Sequence, residues 1–161
     1  VSKILKRIKT HKVSVIGREM NPLIWPVNRD QALELLDFFC DRCLPSFGRY
    51  QDAMTAKSDH SWSLYHSRLS FALNTKMLSP LEVINTALAR FENSQDEISL
   101  PQIEGFVRQI LGWREFIRAI YWINMPEYSG ANFFESNRKL PDYFWTGNTK
   151  MRCLQRSPTK R

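Results

Sequence analysis

Apolar positions along the chain change their period once, near Asn28. Before that point KVSVIG alternates as a strand would, and Pro22 and Pro26 interrupt the stretch after it, so residues 1–29 read as a connector with no helical period. Beyond Asn28, NRDQALELLDFFCDRCL carries Leu33, Leu36, Cys40 and Cys43 or Leu44 at helical spacing, with its acids early, where a helix dipole favours them. This helix is expected to stop near Pro45. A turn-rich loop, PSFGRYQDAMTAKSDHSW, comes next and is unusually aromatic. In WSLYHSRLSFALN, Leu64, Leu69, Phe71 or Ala72, and Leu73 fall near one face of a short helix.

Two start signals stand further on. Ser79 as N-cap, Pro80 at the first helical position and Glu82 three residues after the cap predict a helix running to about Phe91. Ser99-Leu100-Pro101-Gln102 reads as a second capping box, opening the longest helix, which is expected to reach about Ile123 before Pro126 limits it. The remainder is loop-rich, with a last turn around Lys150–Leu154. The pattern predicts an all-α, multi-helical fold with no internal repeat.

The longest helix poses a question. Ile103, Phe106, Ile110, Trp113 or Phe116, Ile117 and Ile120 keep one broad face apolar, while Gly105, Gly112 and Ala119 recur every seven residues on another stripe. Each glycine costs about 1 kcal/mol against alanine inside a helix, so the stripe needs a reason. Close helix packing is the plainer one, and a flat ligand ring against the backbone is the sharper. Trp113-Arg114-Glu115-Phe116 also puts charge where the period predicts core, and buried charge must be paired or given to a ligand.

Composition narrows the class. At 161 residues, 43% hydrophobic and with five tryptophans, the chain is long and apolar enough to bury a core. Its formal charge of +7 sits at the ends: residues 1–18 hold six Lys/Arg and no acid, and residues 138–161 hold seven against Asp142 alone. The total therefore does not imply a basic groove on the folded body, although local patches remain open. Three cysteines cannot all pair within one chain, which points to a reducing cytoplasm, and no apolar run approaches the roughly 18 residues of a membrane span. The chain begins with valine and reads as the edge of a fragment.

Candidate chemistry is sparse. Cys40-Asp41-Arg42-Cys43 is a lone C-x-x-C without companion ligands, better read as core packing than as a metal site. A serine-hydrolase elbow, a glycine-rich dinucleotide turn and a P-loop are all lacking, and no residue presents itself as a nucleophile. In YHSRLSFAL, the hydroxyls of Ser67 and Ser70 and the Arg68 guanidinium lie near a helix start, where they could hold phosphate oxygens or simply cap their own helix.

YHSRLSFALNTKMLSP, GFVRQILGWREFIRAIYW and LPDYFWTGNTKMRCL, with SFGRYQDAM upstream, together resemble the flavin-binding helical domain of photolyases and cryptochromes. The likeness is greatest to the bacterial iron–sulfur branch, the deoxyribodipyrimidine photolyase-related proteins, whose characterised members repair (6-4) photoproducts. It covers roughly residues 25–154. The resemblance implies that Ser67, Arg68, Leu69 and Ser70 hold the diphosphate and ribitol of FAD, that Tyr50 lies near the flavin, and that Gln109 and Arg114 line the cavity. Trp113 would lie where the cavity meets damaged DNA, Trp145 on the electron-transfer route, and Cys153 as the first cysteine ligand of a [4Fe-4S] cluster.

The activity so implied is light-driven electron transfer from reduced FAD to a flipped (6-4) lesion in UV-damaged DNA, by a lyase of the deoxyribodipyrimidine photolyase type. A blue-light photoreceptor of the cryptochrome kind is the alternative, and a catalytically inert truncated product is another. The family's pattern continues beyond Leu154 through a histidine pair and three more cluster cysteines, where this chain reads QRSPTKR, and the family's antenna domain does not precede residue 1. The expected organisation is therefore a connector (1–29), a partial FAD-binding and catalytic domain (30–154) and a basic tail (155–161). Cluster and antenna chromophore are not expected in this chain. Core left exposed could drive self-association.

Overall fold

The computed structural model describes residues 2–15, 23–94 and 96–159, and every regular element among them is helical, as the periodicity predicts. In chain order these are α1 (Ser2–Thr10), α2 (Arg29–Phe38), a π turn (Phe39–Cys43), α3 (Leu44–Tyr50), α4 (Ser70–Asn74), α5 (Pro80–Asn93), α6 (Leu100–Asn124), a 3-10 turn (Glu127–Gly130), α7 (Tyr143–Thr146) and α8 (Arg152–Thr159). They fall into two compact units: Trp25–Ser136, and the two chain ends, Val1–Ile24 with Asn137–Arg161.

In the larger unit, α2 starts where Asn28 accepts from the Gln31 N–H at 2.9 Å. α2 ends at Phe38, but the helical path does not stop at Pro45. The π turn widens the backbone so that the Leu44 N–H reaches the Phe39 carbonyl, and Pro45, which has no N–H to donate, then stands in the first turn of α3, where none is needed. Helix replaces the expected loop as far as Tyr50. Three rings lock the bend: Phe39 lies 4.6 Å from Phe106 and 5.7 Å from Phe47, and Phe47 lies 5.6 Å from Phe106. All three are buried.

Contact between α3 and the start of α6 is backbone to backbone. A Cβ on Gly48 would stand 3.0 Å from the Gln102 Cα and 3.0 Å from the Pro101 carbonyl oxygen. The second capping box does not form, because Gln102 gives its amide to the Pro45 carbonyl at 3.1 Å while the Ser99 hydroxyl bonds the Gln102 side-chain oxygen instead of a backbone N–H. A tertiary partner has taken the residue that the local motif needed. The first box, on α5, forms fully: Ser79 Oγ accepts from the Glu82 N–H at 3.1 Å, and Glu82 Oε2 accepts from the Ser79 N–H at 3.4 Å. Glu82 also pairs with Arg29, which donates to the Met77 carbonyl at 2.7 Å and so ties the start of α2 to that of α5.

The helix read over WSLYHSRLSFALN contracts to α4. Leu64 (φ 43°) and Arg68 (φ 56°) both adopt left-handed backbone, which a right-handed helix cannot contain, so 60–66 becomes a chain of turns. α6 is as long as expected but packs along less than half its length. Ile103 and Phe106 are buried and Val107 and Ile110 lean on the core, whereas Trp113, Phe116 and Ile117 are 67%, 56% and 60% exposed. The expected apolar face ends as core at Ile110.

In the smaller unit, α1 forms where no helical period is read. Ile4, Leu5 and Ile8 share one side of it, and Lys12 (φ 50°) closes it, with the Val13 N–H returning to the Ile8 carbonyl at 3.1 Å. Gly147 (φ 68°) ends α7, and α8 runs past the turn expected at Lys150–Leu154. Residues 16–22 of the expected connector lie outside the described residues. No helix among the described residues is long and apolar enough to cross a membrane.

Candidate functional site

The end of α3, the turns beyond it and the middle of α6 build one face of the larger unit. Tyr50, the last residue of α3, stacks on Tyr65 with ring centroids 5.1 Å apart and planes 21° from parallel, and the Arg49 guanidinium lies 5.2 Å from the Tyr50 ring. The next residue, Gln51, accepts from Gln109 Nε2 at 3.3 Å, and its side-chain oxygen sits 3.2 Å from where a Cβ on Gly105 would stand. Gly105 thus lets a glutamine lie against α6. Tyr50 and Gln109 are brought together in this way.

Three residues beyond Tyr65, Arg68 holds its left-handed backbone with its guanidinium 5.0 Å from the Trp62 ring. Such a conformation costs a non-glycine residue about 1–2 kcal/mol, and it persists because its neighbour Leu69 is fully buried in the core. Ser67 Oγ accepts a long bond of 3.5 Å from the Leu69 N–H, and Ser70 is exposed at the start of α4, which has only five residues. Leu69 spends its side chain on packing, so only its backbone is free to face a ligand. Arg68 makes no ion pair with a described residue.

Its charge is nonetheless felt by Cys43: burial pushes that thiol above its ordinary pKa, and Arg68 offsets part of the rise. Burial also drives Cys40 up, to about 12. Both cysteines of the C-x-x-C are core residues.

Gln109 and Arg114 are five residues apart on α6, about 7.5 Å along its axis. Arg114 is exposed and makes no ion pair among the described residues, because Glu115 turns to Arg118 at 3.7 Å. Trp113 meets Phe116 edge-on at 6.4 Å. Gly112 faces open space, beside a shallow cavity of about 430 Å³ whose walls, Glu104, Val107, Arg108, Leu111, Gly112 and Glu115, all belong to α6. The glycine stripe therefore divides: Gly105 packs and Gly112 does not. Trp145 on α7 and Cys153 on α8 belong to the smaller unit, and both are exposed.

Tyr65, Trp62 and Gln51 escape the sequence reading although they complete this face. The aromatic richness of the 45–62 loop signals Trp62 alone; Tyr65 sits in the stretch read as helix, and Gln51 carries no signal.

Comparison with known proteins decides the kinship. Over 134 residues, 83% of its length, the chain is 41% identical to a (6-4) photolyase of Agrobacterium fabrum (strain C58 / ATCC 33970). The chain belongs to the photolyase/cryptochrome family. It spans 25% of the length of that photolyase. It is also 28% identical over 100 residues, 62% of its length and 73% of the other's, to an uncharacterized protein of Acanthamoeba polyphaga mimivirus. No family model matches it. Among the described residues, Tyr50 stacks on Tyr65, Gln51 joins Gln109 next in sequence to that ring, and Arg68 adds a cation three residues beyond Tyr65.

Proposed function

We propose that this chain is the part of a light-dependent (6-4) photolyase that carries one wall of its FAD site. The observation that carries the reading is the 41% identity to a (6-4) photolyase over 134 residues. The residues fit the cofactor's chemistry. Arg68 offers a cation not committed to any described carboxylate, in a strained backbone that burial of Leu69 maintains. Ser67 and Ser70 add hydroxyl donors, and the Tyr50–Tyr65 pair gives a slab for a flat ring.

In this reading Ser67, Arg68, Ser70 and the Leu69 backbone hold the FAD diphosphate and ribitol, and Gln109 and Arg114 hydrogen-bond the cavity side. When bound and reduced, FAD supplies an electron, on illumination, to a (6-4) photoproduct in UV-damaged DNA. The protein's part is to neutralise the diphosphate, orient the ring and keep water out. Trp113 meets the flipped lesion, and its exposure leaves it free to stack on a base. Trp145 relays electrons, and Cys153 is one cluster ligand. The three free thiols accord with a cytoplasmic protein.

One observation favours a second reading, in which the chain is inert by itself. Trp113 and Arg114 are exposed, Gly112 has nothing within 4 Å among the described residues, and the cavity beside Gly112 is walled by α6 alone. Titration of the chain with FAD separates the two. Quenching of flavin fluorescence that weakens in Arg68→Ala, at an unchanged melting midpoint, supports the flavin wall; a folded, colourless protein with no FAD affinity refutes it.

A further inference from the structure

The basic residues that the sequence scatters to both ends are gathered by the fold. Residues 1–24 and 137–161 form one compact unit, whose described side chains hold nine Lys/Arg against Asp142 alone; residues 25–136 carry ten Lys/Arg and fourteen Asp/Glu, a charge of −4. Within the basic unit, α1 has no acid, and Lys3, Lys6, Arg7 and Lys9, all exposed, fan over the side opposite Ile4, Leu5 and Ile8. In the larger unit Arg29, Arg90, Arg108 and Arg118 each have a carboxylate partner. Lys3, Lys6, Arg7, Lys9, Arg138, Lys139 and Lys150 have none among the described residues. Like charges held this close repel one another, and a polyanion relieves that repulsion while releasing its own counterions.

We propose that this unit binds the phosphate backbone of double-stranded nucleic acid, without regard to sequence or damage, through Lys3, Lys6, Arg7 and Lys9 of α1 and through Arg138, Lys139 and Lys150. The surface extends the proposed DNA binding to a region outside the flavin-bearing unit, and it depends on neither flavin nor lesion. A basic amphipathic helix can also lie on a membrane, but then its apolar side must enter the lipid. Here Leu5 and Ile8 are half-buried in the protein and only Ile4, at 54%, is more than half exposed, so a nine-residue helix has little left to insert.

The test uses the full chain in the dark without flavin, titrated by fluorescence anisotropy against a short undamaged duplex over about 50 to 200 mM salt. Binding should weaken with salt, with a log–log slope of about −0.9 per phosphate contact, so changing Lys3, Lys6, Arg7 and Lys9 all to Gln should remove about 3–4 from the slope. A control, Lys57→Gln with Lys76→Gln in the larger unit, should keep affinity and slope. If the α1 variant loses its helix, Arg138→Gln, Lys139→Gln and Lys150→Gln together should remove about 2–3 from the slope. No binding to undamaged duplex, an unchanged slope in a folded basic-unit variant, an equal loss in the control, or tighter binding to phosphatidylserine vesicles than to duplex would each overturn the proposal. Because no flavin enters the assay, these outcomes are independent of whether the FAD wall is functional.

Discussion

Gly48→Ala and Gly112→Ala add the same methyl group to two helices, and the structure predicts opposite results. At Gly48 the new Cβ would meet three backbone atoms of the first turn of α6, at 3.0, 3.0 and 3.1 Å. Backbone cannot rotate aside, so α3 must back away by about half an ångström toward ordinary van der Waals contact. That shift loosens Phe47 against Phe39 and Phe106 and stretches the 3.1 Å bond from Gln102 to the Pro45 carbonyl. Overpacking of this kind costs about 1–3 kcal/mol and a weakened hydrogen bond up to about 1 more, against a gain of about 1 from helix propensity. The net loss is up to about 3 kcal/mol. At Gly112 nothing lies within 4 Å, so only the propensity gain remains, about 0.5–1 kcal/mol.

Gly105→Ala should fall between, because its neighbour at 3.2 Å is the end of the flexible Gln51 side chain. Urea unfolding followed by far-UV ellipticity reads the difference. With a slope of about 2 kcal/mol per molar urea, the Gly48 and Gly112 midpoints should separate by up to about 2 M, on either side of wild type. Midpoints that move in the same direction would refute the contact argument. The same pair bears on the flavin proposal: if Gly112 leaves room for a ring, its alanine variant should be the more stable protein and the poorer FAD binder.

Three further outcomes are expected. Lys76 caps α4 with φ at 63°, its N–H and that of Met77 returning to Leu73 and Ala72, so Lys76→Gly should raise stability by about 1 kcal/mol in the same urea assay. Arg29, chiefly by hydrogen bond, holds the Glu82 carboxyl below its usual pKa, so its contribution is whole above the ordinary value of about 4.3 and is lost as pH falls through the lowered one. The advantage of wild type over Glu82→Gln, which keeps the capping geometry, should therefore vanish in acid and shrink with added salt. Ellman's reagent near neutral pH should titrate Cys153 quickly, while Cys40 and Cys43, buried and with raised pKa values, wait for unfolding; two fast thiols in Cys153→Ser would contradict the core assignment.

What could be read from the sequence divides by the reach of the interaction. Ser79 and Glu82 are three residues apart and answer only to each other and to Arg29, so their capping box is legible. Ser99 and Gln102 have the same spacing, but Gln102 finds Pro45 fifty-seven residues away, which no local pattern records. Pro45 reads as a stop because the π turn that accommodates it depends on a bond from Leu44 back to Phe39. Leu64 and Arg68 read as helical because nothing in their side chains announces a left-handed backbone. In the candidate site, Ser67, Arg68 and Ser70 are legible as an anion site or a helix cap, to which family resemblance adds FAD, while Tyr50 comes from the resemblance alone. Tyr65 against Tyr50, Trp62 against Arg68 and Gln51 against Gln109 are set by how the chain folds back, which no local pattern records.

Periodicity told which face of α6 is apolar and could not tell how far along it the core would extend, and that difference changes the meaning of Trp113-Arg114-Glu115. Were this stretch buried, Arg114 would need a partner inside the protein, and giving it to a ligand would mean breaking that pair at a cost. It is exposed, and Glu115 has already turned to Arg118 in a solvent-screened pair that contributes little. Arg114 is thus left with no carboxylate partner among the described residues, on another side of the helix from the open space at Gly112. A cation so exposed can meet an anion without first giving up an internal contact, which a core helix would have denied it.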